Sequence, residues 1–313
     1  APEVVPGHVV IDVKSGSINF PDVLMIQGLY QFQPPLPFIP GGESAGVISE
    51  VGEGVTKFKE GDKVFAITGV GAFAEKILAA ESNCMPIPES MDFDSAAALS
   101  MTYGTSLYAL KQRASLQPGE TLLVLGASGG VGLAAIELGK AMGAKVIAAA
   151  STQDKIDMCL SHGADEGFIY PSSNLDRDQQ KELSNKIKEL TGGLGPNVIY
   201  DPVGGSYAEP CLRSIAWEGR YLVIGFAAGA DQIPKMPLNL TLLKGCQIVG
   251  VFWGAWVGQF PDENKKNFDE LFNLHSEGKI NPEVSQKYSL EDAASAFTHL
   301  ANRKAKGKLV INF

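Results

Sequence analysis

Residues 121–132, TLLVLGASGGVG, constrain this chain more than any other stretch. The apolar run 122–125 reads as a buried strand, 126–130 as a tight glycine turn, and the following residues as the opening of a helix. That helix continues through LAAIELGKAMG, with apolar residues at Val131, Ala134, Ala135, Leu138 and Met142. Lys140 in its last turn and Gly143 just beyond are stop signals. Residues 145–150 then read as a second, parallel strand, which completes a βαβ unit.

The glycines run Gly126-x-x-Gly129-Gly130-x-Gly132, not the plain G-x-G-x-x-G spacing. A glycine pattern between a predicted strand and a predicted helix is the context expected for dinucleotide binding. Without Cβ atoms the backbone can approach a pyrophosphate, and the helix start offers unpaired N–H groups and partial positive charge. Ser128, Gly129, Gly130 and Val131 are therefore the expected phosphate contacts. An acid that grips a ribose 2′-hydroxyl belongs at the end of the second strand. Here Ala150 is followed by Ser151, Thr152 and, three residues on, Lys155. Hydroxyls and a lysine attract a 2′-phosphate that a carboxylate would repel, which predicts NADP(H) over NAD(H). Lys155 also reads as a solvated helix residue.

At 313 residues the chain is long enough for two domains, and its 45% hydrophobic and 19% charged content is that of a globular protein. A net charge of −9 argues against non-specific nucleic-acid binding. Cys84, Cys159, Cys211 and Cys246 are scattered, with no C-x-x-C, so reduced thiols in a cytoplasmic setting are expected. No apolar run long enough to span a membrane and no secretory leader is read. The chain opens at Ala1, and residues before it are left open.

Short alternating segments and glycine turns in the first hundred residues suggest a compact, barrel-like β domain. They include strands at 8–13, 46–55 and 57–67, a short helix at 21–27 and a proline-rich loop from Gln33. Residues 95–114 read as a helix leading to the glycine turn. From there to Leu243 strands and helices alternate, the mark of a doubly wound parallel sheet. Later elements are an apolar strand at 247–253, helices at 263–277 and 290–301, and a closing strand at 308–312.

With NFPD at 19–22, PGGESAGVISEVGEGV from Pro40, EGDKV from Glu60, the glycine turn, DPVGG at 201–205 and GR at 219–220, the chain resembles the medium-chain dehydrogenase/reductase superfamily. The resemblance is to its zinc-free quinone oxidoreductase branch, which includes zeta-crystallin. It implies an α/β fold: a GroES-like β-barrel catalytic domain plus a doubly wound parallel-sheet (Rossmann) nucleotide-binding domain. The expected division is 1–103, catalytic; 104–243, NADP-binding; and 244–313, completing the sheet edge and returning to the catalytic domain.

Metal-bearing relatives carry Cys where this chain has Asn19 and His-Glu where it has Gly42-Glu43. The cysteine-rich structural lobe is also missing, so no metal is expected. Hydride transfer to a conjugated carbonyl builds negative charge that a hydrogen-bond donor stabilises. Asn19 and Tyr30 match family positions lining the pocket and are the candidate donors. A turn-capping side chain and a packed loop aromatic are the other readings of the two. Asp22 reads as a family position or an exposed helix start, and Leu24 replaces a second pocket tyrosine of some relatives.

By resemblance Thr105 approaches the nicotinamide, Tyr170 the adenine and Arg303 the 2′-phosphate, and Phe226 borders the nicotinamide. Tyr170 also reads as an ordinary strand-end residue and Arg303 as part of a solvated basic tail. Phe252 and Trp253 wall the pocket or pack at a subunit contact, and the apolar strand before them could pair with its twin in a homodimer. The leading expectation is NADPH bound in a cleft between domains, reducing a quinone or other conjugated carbonyl. The alternatives are an enoyl- or acryloyl-type reductase and an NADPH-binding, crystallin-like protein without catalysis.

Overall fold

The computed structural model describes residues 2–171 and 174–313. Its elements in chain order begin with β1 (His8–Ile18), α1 (Phe20–Ile26), β2 (Glu43–Val51), β3 (Lys63–Ile67), β4 (Lys76–Ala80), β5 (Cys84–Pro86) and α2 (Phe93–Leu107). Next come β6 (Thr121–Leu125), α3 (Gly130–Ala141), β7 (Lys145–Ala150), α4 (Gln153–Ser161), β8 (Glu166–Ile169), α5 (Arg177–Leu190), β9 (Val198–Asp201), α6 (Ala208–Ser214) and β10 (Arg220–Val223). The last are α7 (Asn239–Lys244), β11 (Gln247–Gly250), α8 (Trp253–Gln259), α9 (Pro261–Ser276), β12 (Val284–Ser289), α10 (Ala293–Ala301) and β13 (Lys308–Asn312).

The chain divides into one unit of residues 1–101 with 282–313 and a second of 102–281. The residues from 244 onward are not one segment. Those to Asn281 stay with the second unit, and only Pro282 onward rejoins the first.

The first unit is a branched, mostly antiparallel sheet in the order β12-β13-β1-β2-β3-β5, with β4 also on β1. β1 is long enough to serve different partners at its two ends: its first half pairs with β4 and its second with β13. Alternation along the strands buries Val9, Ile11, Val13, Ile48, Val64 and Ile77 in one core. A smaller core gathers Ile18, Phe73, Ala296, Leu309 and Ile311 beneath α10.

The second unit is a six-stranded sheet in the order β11-β10-β9-β6-β7-β8, every pairing parallel. This is the doubly wound order, in which the chain reverses direction at β6. Leu122 to Leu125 are fully buried, as a strand covered on both faces requires. Gly139 lets α3 lie close to β6, because a Cβ there would stand 2.7 Å from Leu122 Cδ2. The apolar strand expected at 247–253 ends at Gly250. Trp253 instead opens α8, where its ring takes the space above Gly104 and packs near Phe268.

Candidate active site

In the second unit the chain leaves β6 through Gly126, whose φ of +55° favours glycine. Gly129 N–H turns back to Gly126 O at 3.0 Å, and Gly129 precedes α3. A Cβ on Gly132 would stand 2.5 Å from Ala127 O, so the helix start can close on the turn only with glycine there. The first N–H groups of α3 have no partner within the helix and face the turn's mouth. This cradle of bare backbone and helix dipole fits a pyrophosphate.

Ser106 Oγ donates to Val131 O at 3.2 Å and meets Tyr200 Oη at 2.8 Å, which brings the α2 stretch holding Thr105 beside the turn. Beyond β7, Lys155 Nζ lies 3.5 Å from Ser151 Oγ, so two of the expected 2′-phosphate contacts meet. The third, Thr152, donates its hydroxyl to Asp154. Phe226 is half-buried and comes against Gly204 of the loop after β9.

Two further expected contacts differ in burial. Tyr170 is 7% exposed, its ring packs on Tyr207, and its hydroxyl accepts from Gly126 N–H at 3.2 Å. It braces the turn from the core side. Phe252 is 63% exposed, so it is not a core residue, while Trp253 is buried. Arg303, in the first unit, is exposed just past α10 with φ +58°.

The first unit holds a buried polar cluster that local sequence did not reveal. Glu43, at the start of β2, is fully buried. Its Oε1 accepts from Asn19 Nδ2 at 2.6 Å and Lys308 Nζ at 3.2 Å; its Oε2 accepts from Met101 N–H at 2.7 Å and from Ser100 Oγ. Lys308 Nζ also donates to Asn19 Oδ1 at 2.6 Å and Ile18 O at 3.0 Å, using all three ammonium hydrogens.

Asn19 is thereby locked. Its oxygen faces an ammonium and its nitrogen a carboxylate, so a flipped amide is excluded. The other amide hydrogen reaches Ser17 O at 3.3 Å. Both amide hydrogens expected to serve a substrate are spent inside the protein.

Asp22 is 1% exposed, not an exposed helix start. Its Oδ2 accepts from Asn19 N–H at 2.7 Å, closing the first turn of α1, and its Oδ1 is buried with no hydrogen-bond partner. Burial, with Glu43 adding repulsion, pushes its carboxyl up to about 7 against the pull of the Asn19 and Gly42 N–H groups and Lys308. Tyr30 is half-buried, and burial followed by the Asp22 charge raises its hydroxyl above 10.0. Asn19, Asp22 and Tyr30 thus share one electrostatic neighbourhood. Among the described residues there is no group of three or more His, Cys, Asp or Glu able to hold a metal.

This architecture matches known proteins throughout. Residues 5–89 match the alcohol dehydrogenase GroES-like domain and residues 130–272 the family described as zinc-binding dehydrogenase. The quinone oxidoreductase-like protein 2 homolog of Nematostella vectensis is 39% identical over 305 residues, 96% of this chain and 80% of the relative. The chain belongs to the medium-chain dehydrogenase/reductase superfamily, in its quinone oxidoreductase branch. Among solved structures, mycobacterial Rv1454c complexed with NADPH aligns with a TM-score of 0.91 at 28% identity, covering 100% of this chain and 93% of that one. Escherichia coli quinone oxidoreductase complexed with NADPH aligns at 0.88 and 29%, covering 100% and 94%. Around Asn19, Lys308 and Glu43 form an ion pair at 3.2 Å.

Proposed function

We propose that this chain is an NADPH-dependent reductase that delivers a hydride to a quinone or another conjugated carbonyl without a metal. The observation that carries the reading is the glycine cradle at 126–132, with the Ser151–Lys155 pair at the end of the next strand. Ser128 to Val131 would hold the pyrophosphate; Ser151, Lys155 and Arg303 would meet the 2′-phosphate. Thr105 and Phe226 would border the nicotinamide. When bound, NADPH supplies the hydride.

The donor to the substrate oxygen is Tyr30. It keeps its proton at any pH below its ordinary 10.0 and lies within reach of the Asp22 field. Asn19 is the organiser, tying α1 to β2 and β13 so that Tyr30 follows a fixed helix. The single hydroxyl stabilises charge developing on a carbonyl oxygen, the part a metal ion plays in the metal-bearing relatives.

Homodimer formation through β11, the outermost strand of its sheet with Ile248 37% exposed, belongs to the same reading. Light scattering that gives only monomer would exclude it.

The deciding assay follows NADPH and NADH oxidation against a panel of quinones and a panel of enones. Turnover of quinones with a preference for NADPH supports the proposal. Turnover of enones alone, with reduction at carbon, replaces it with an enoyl-type reductase. NADPH binding with no acceptor reduced replaces it with a binding protein.

A further inference from the structure

The segment between α1 and β2 is an irregular loop whose two ends are fastened. Leu29 N–H bonds Leu24 O at 2.9 Å, and at the far end Gly71, Ala72 and Phe73 N–H groups bond Ile39, Gly41 and Pro40 carbonyls at 2.8–3.1 Å. Between these anchors the loop turns large apolar side chains outward. Ile26 is 46% exposed, Leu29 55%, Phe32 55%, Leu36 85% and Ile39 50%. Such a concentration on one short segment marks a contact surface.

Charge says what the surface contacts. From Val23 to Gly42 no residue is acidic or basic, and no Lys or Arg occurs between Lys14 and Lys57. The segment itself offers no cation to a ligand carrying phosphates, such as a coenzyme A thioester. An anionic membrane would find none either. Pro34, Pro35, Pro37 and Pro40 stiffen the segment, so less order is lost when something covers it. The surface is also continuous with the site. Leu29 and Phe32 lie on either side of Tyr30 in the chain, and Tyr30 is half-buried and feels the charge of Asp22.

We propose that the loop 26–39 receives the uncharged tail of the electron acceptor. The substrate class is then a conjugated carbonyl bearing an alkyl or isoprenoid chain, its ring or enone head at Tyr30 and its chain over Leu29, Phe32 and Leu36. This rests on the reductase reading above and narrows it. The chemistry of the step is unchanged: the head gains a hydride and a proton, and the tail contributes binding alone.

The test uses the full chain and three 2,3-dimethoxy-5-methylbenzoquinones bearing no, one or two isoprenoid units. Turnover with NADPH and calorimetric binding are both measured, for the natural chain and for Phe32→Ser/Leu36→Ser, which alters two exposed side chains. One fully covered methylene is worth about fourfold in affinity, so two isoprenoid units partly covered should raise kcat/KM at least about tenfold over the bare ring. The double variant should reduce that ratio to about twofold or less.

Equal kcat/KM for all three quinones overturns the inference and leaves the reductase reading intact. So does a tail preference that survives the double variant, or an enoyl-coenzyme A thioester reduced faster than the two-unit quinone. Tail-dependent binding without turnover of any acceptor overturns the reductase reading while the tail site stands. Loss of self-association or of binding to neutral lipid vesicles in the variant, with the tail preference unchanged, assigns the loop to a second copy or to a bilayer and overturns the inference.

Discussion

Replacing Asp22 by Asn should make the protein's stability less sensitive to pH, and the size of the effect follows from the site. The Asp22 carboxyl is pushed from 3.8 to about 7, first by burial and then by Glu43. A folded state that holds this proton more tightly than the unfolded chain is favoured at low pH. Its stability falls as pH rises from about 4 to about 7 and levels off above. At 1.36 kcal/mol per pH unit, with the slope fading as the carboxyl passes half-ionisation, the fall is about 2 kcal/mol between pH 5 and pH 7 and about 3 kcal/mol by pH 8. Asn is neutral throughout, keeps an oxygen to accept from Asn19 N–H, and places an amide where Oδ1 now lacks a partner. Asp22→Asn should therefore gain about 3 kcal/mol over the natural chain on moving from pH 5 to pH 8, or roughly 4–5 °C in Tm for a chain of 313 residues. Thermal unfolding of both proteins at the two pH values measures this. A difference in Tm that is the same at pH 5 and pH 8, or larger at pH 5, would refute the assignment of a buried, proton-holding carboxyl to Asp22.

The other predictions concern the same site and the cradle. Lys308→Met leaves Glu43 buried with no cation and should cost about 3–5 kcal/mol in urea unfolding, most of it recovered in Lys308→Met/Glu43→Gln. Gly132→Ala drives a methyl to within 2.5 Å of Ala127 O, so fluorescence titration should show NADPH affinity lowered at least about tenfold. Tyr30→Phe should lower kcat about 10²-fold with little change in KM, since it deletes the donor but keeps the ring. Lys155→Ala should raise the KM for NADPH about tenfold and leave that for NADH nearly unchanged, as dehydrogenase kinetics with the two coenzymes would show.

Much of the fold was legible because its signals are local. The run Leu122 to Leu125, the glycines after it and the apolar spacing of α3 place strand, turn and helix almost where they lie. β7 and β13 keep the limits read from their apolar runs. Legibility fails where the pattern is uniform or polar. The apolar run after Gln247 gives no local reason to stop at Gly250; the strand yields to α8 because Trp253 finds its space above Gly104, far away in sequence. β12 has the sequence VSQKYS and is mostly exposed, so it shows no apolar alternation, and only its pairing with β13 makes it a strand.

The candidate site divides along the same line. A glycine cradle can be read because each of its parts neighbours the next in sequence. The cluster around Asn19 cannot, because its bonds span distance: 24 residues to Glu43 and 289 to Lys308. Glu43 left one trace, a carboxylate heading the buried first half of β2, and Lys308 another, an amine at the head of KLVIN. Two opposite charges opening buried strands each need a partner, since an ion left alone in the interior costs several kcal/mol. Glu43 takes one Asn19 amide hydrogen, Ser17 O the other, and Lys308 occupies the amide oxygen, so the amide has no donor left for a substrate. That is why the proposal gives the donor role to Tyr30. Its hydroxyl is held back from ionisation by burial and by the charge of Asp22. Asp22 in turn reaches neutral pH with its proton partly retained, chiefly because it is buried and secondarily because Glu43 repels its charge. The ion pair that fixes α1 and the carboxyl that tunes Tyr30 are therefore one device, and the Asp22→Asn and Lys308→Met variants should disturb it from opposite ends.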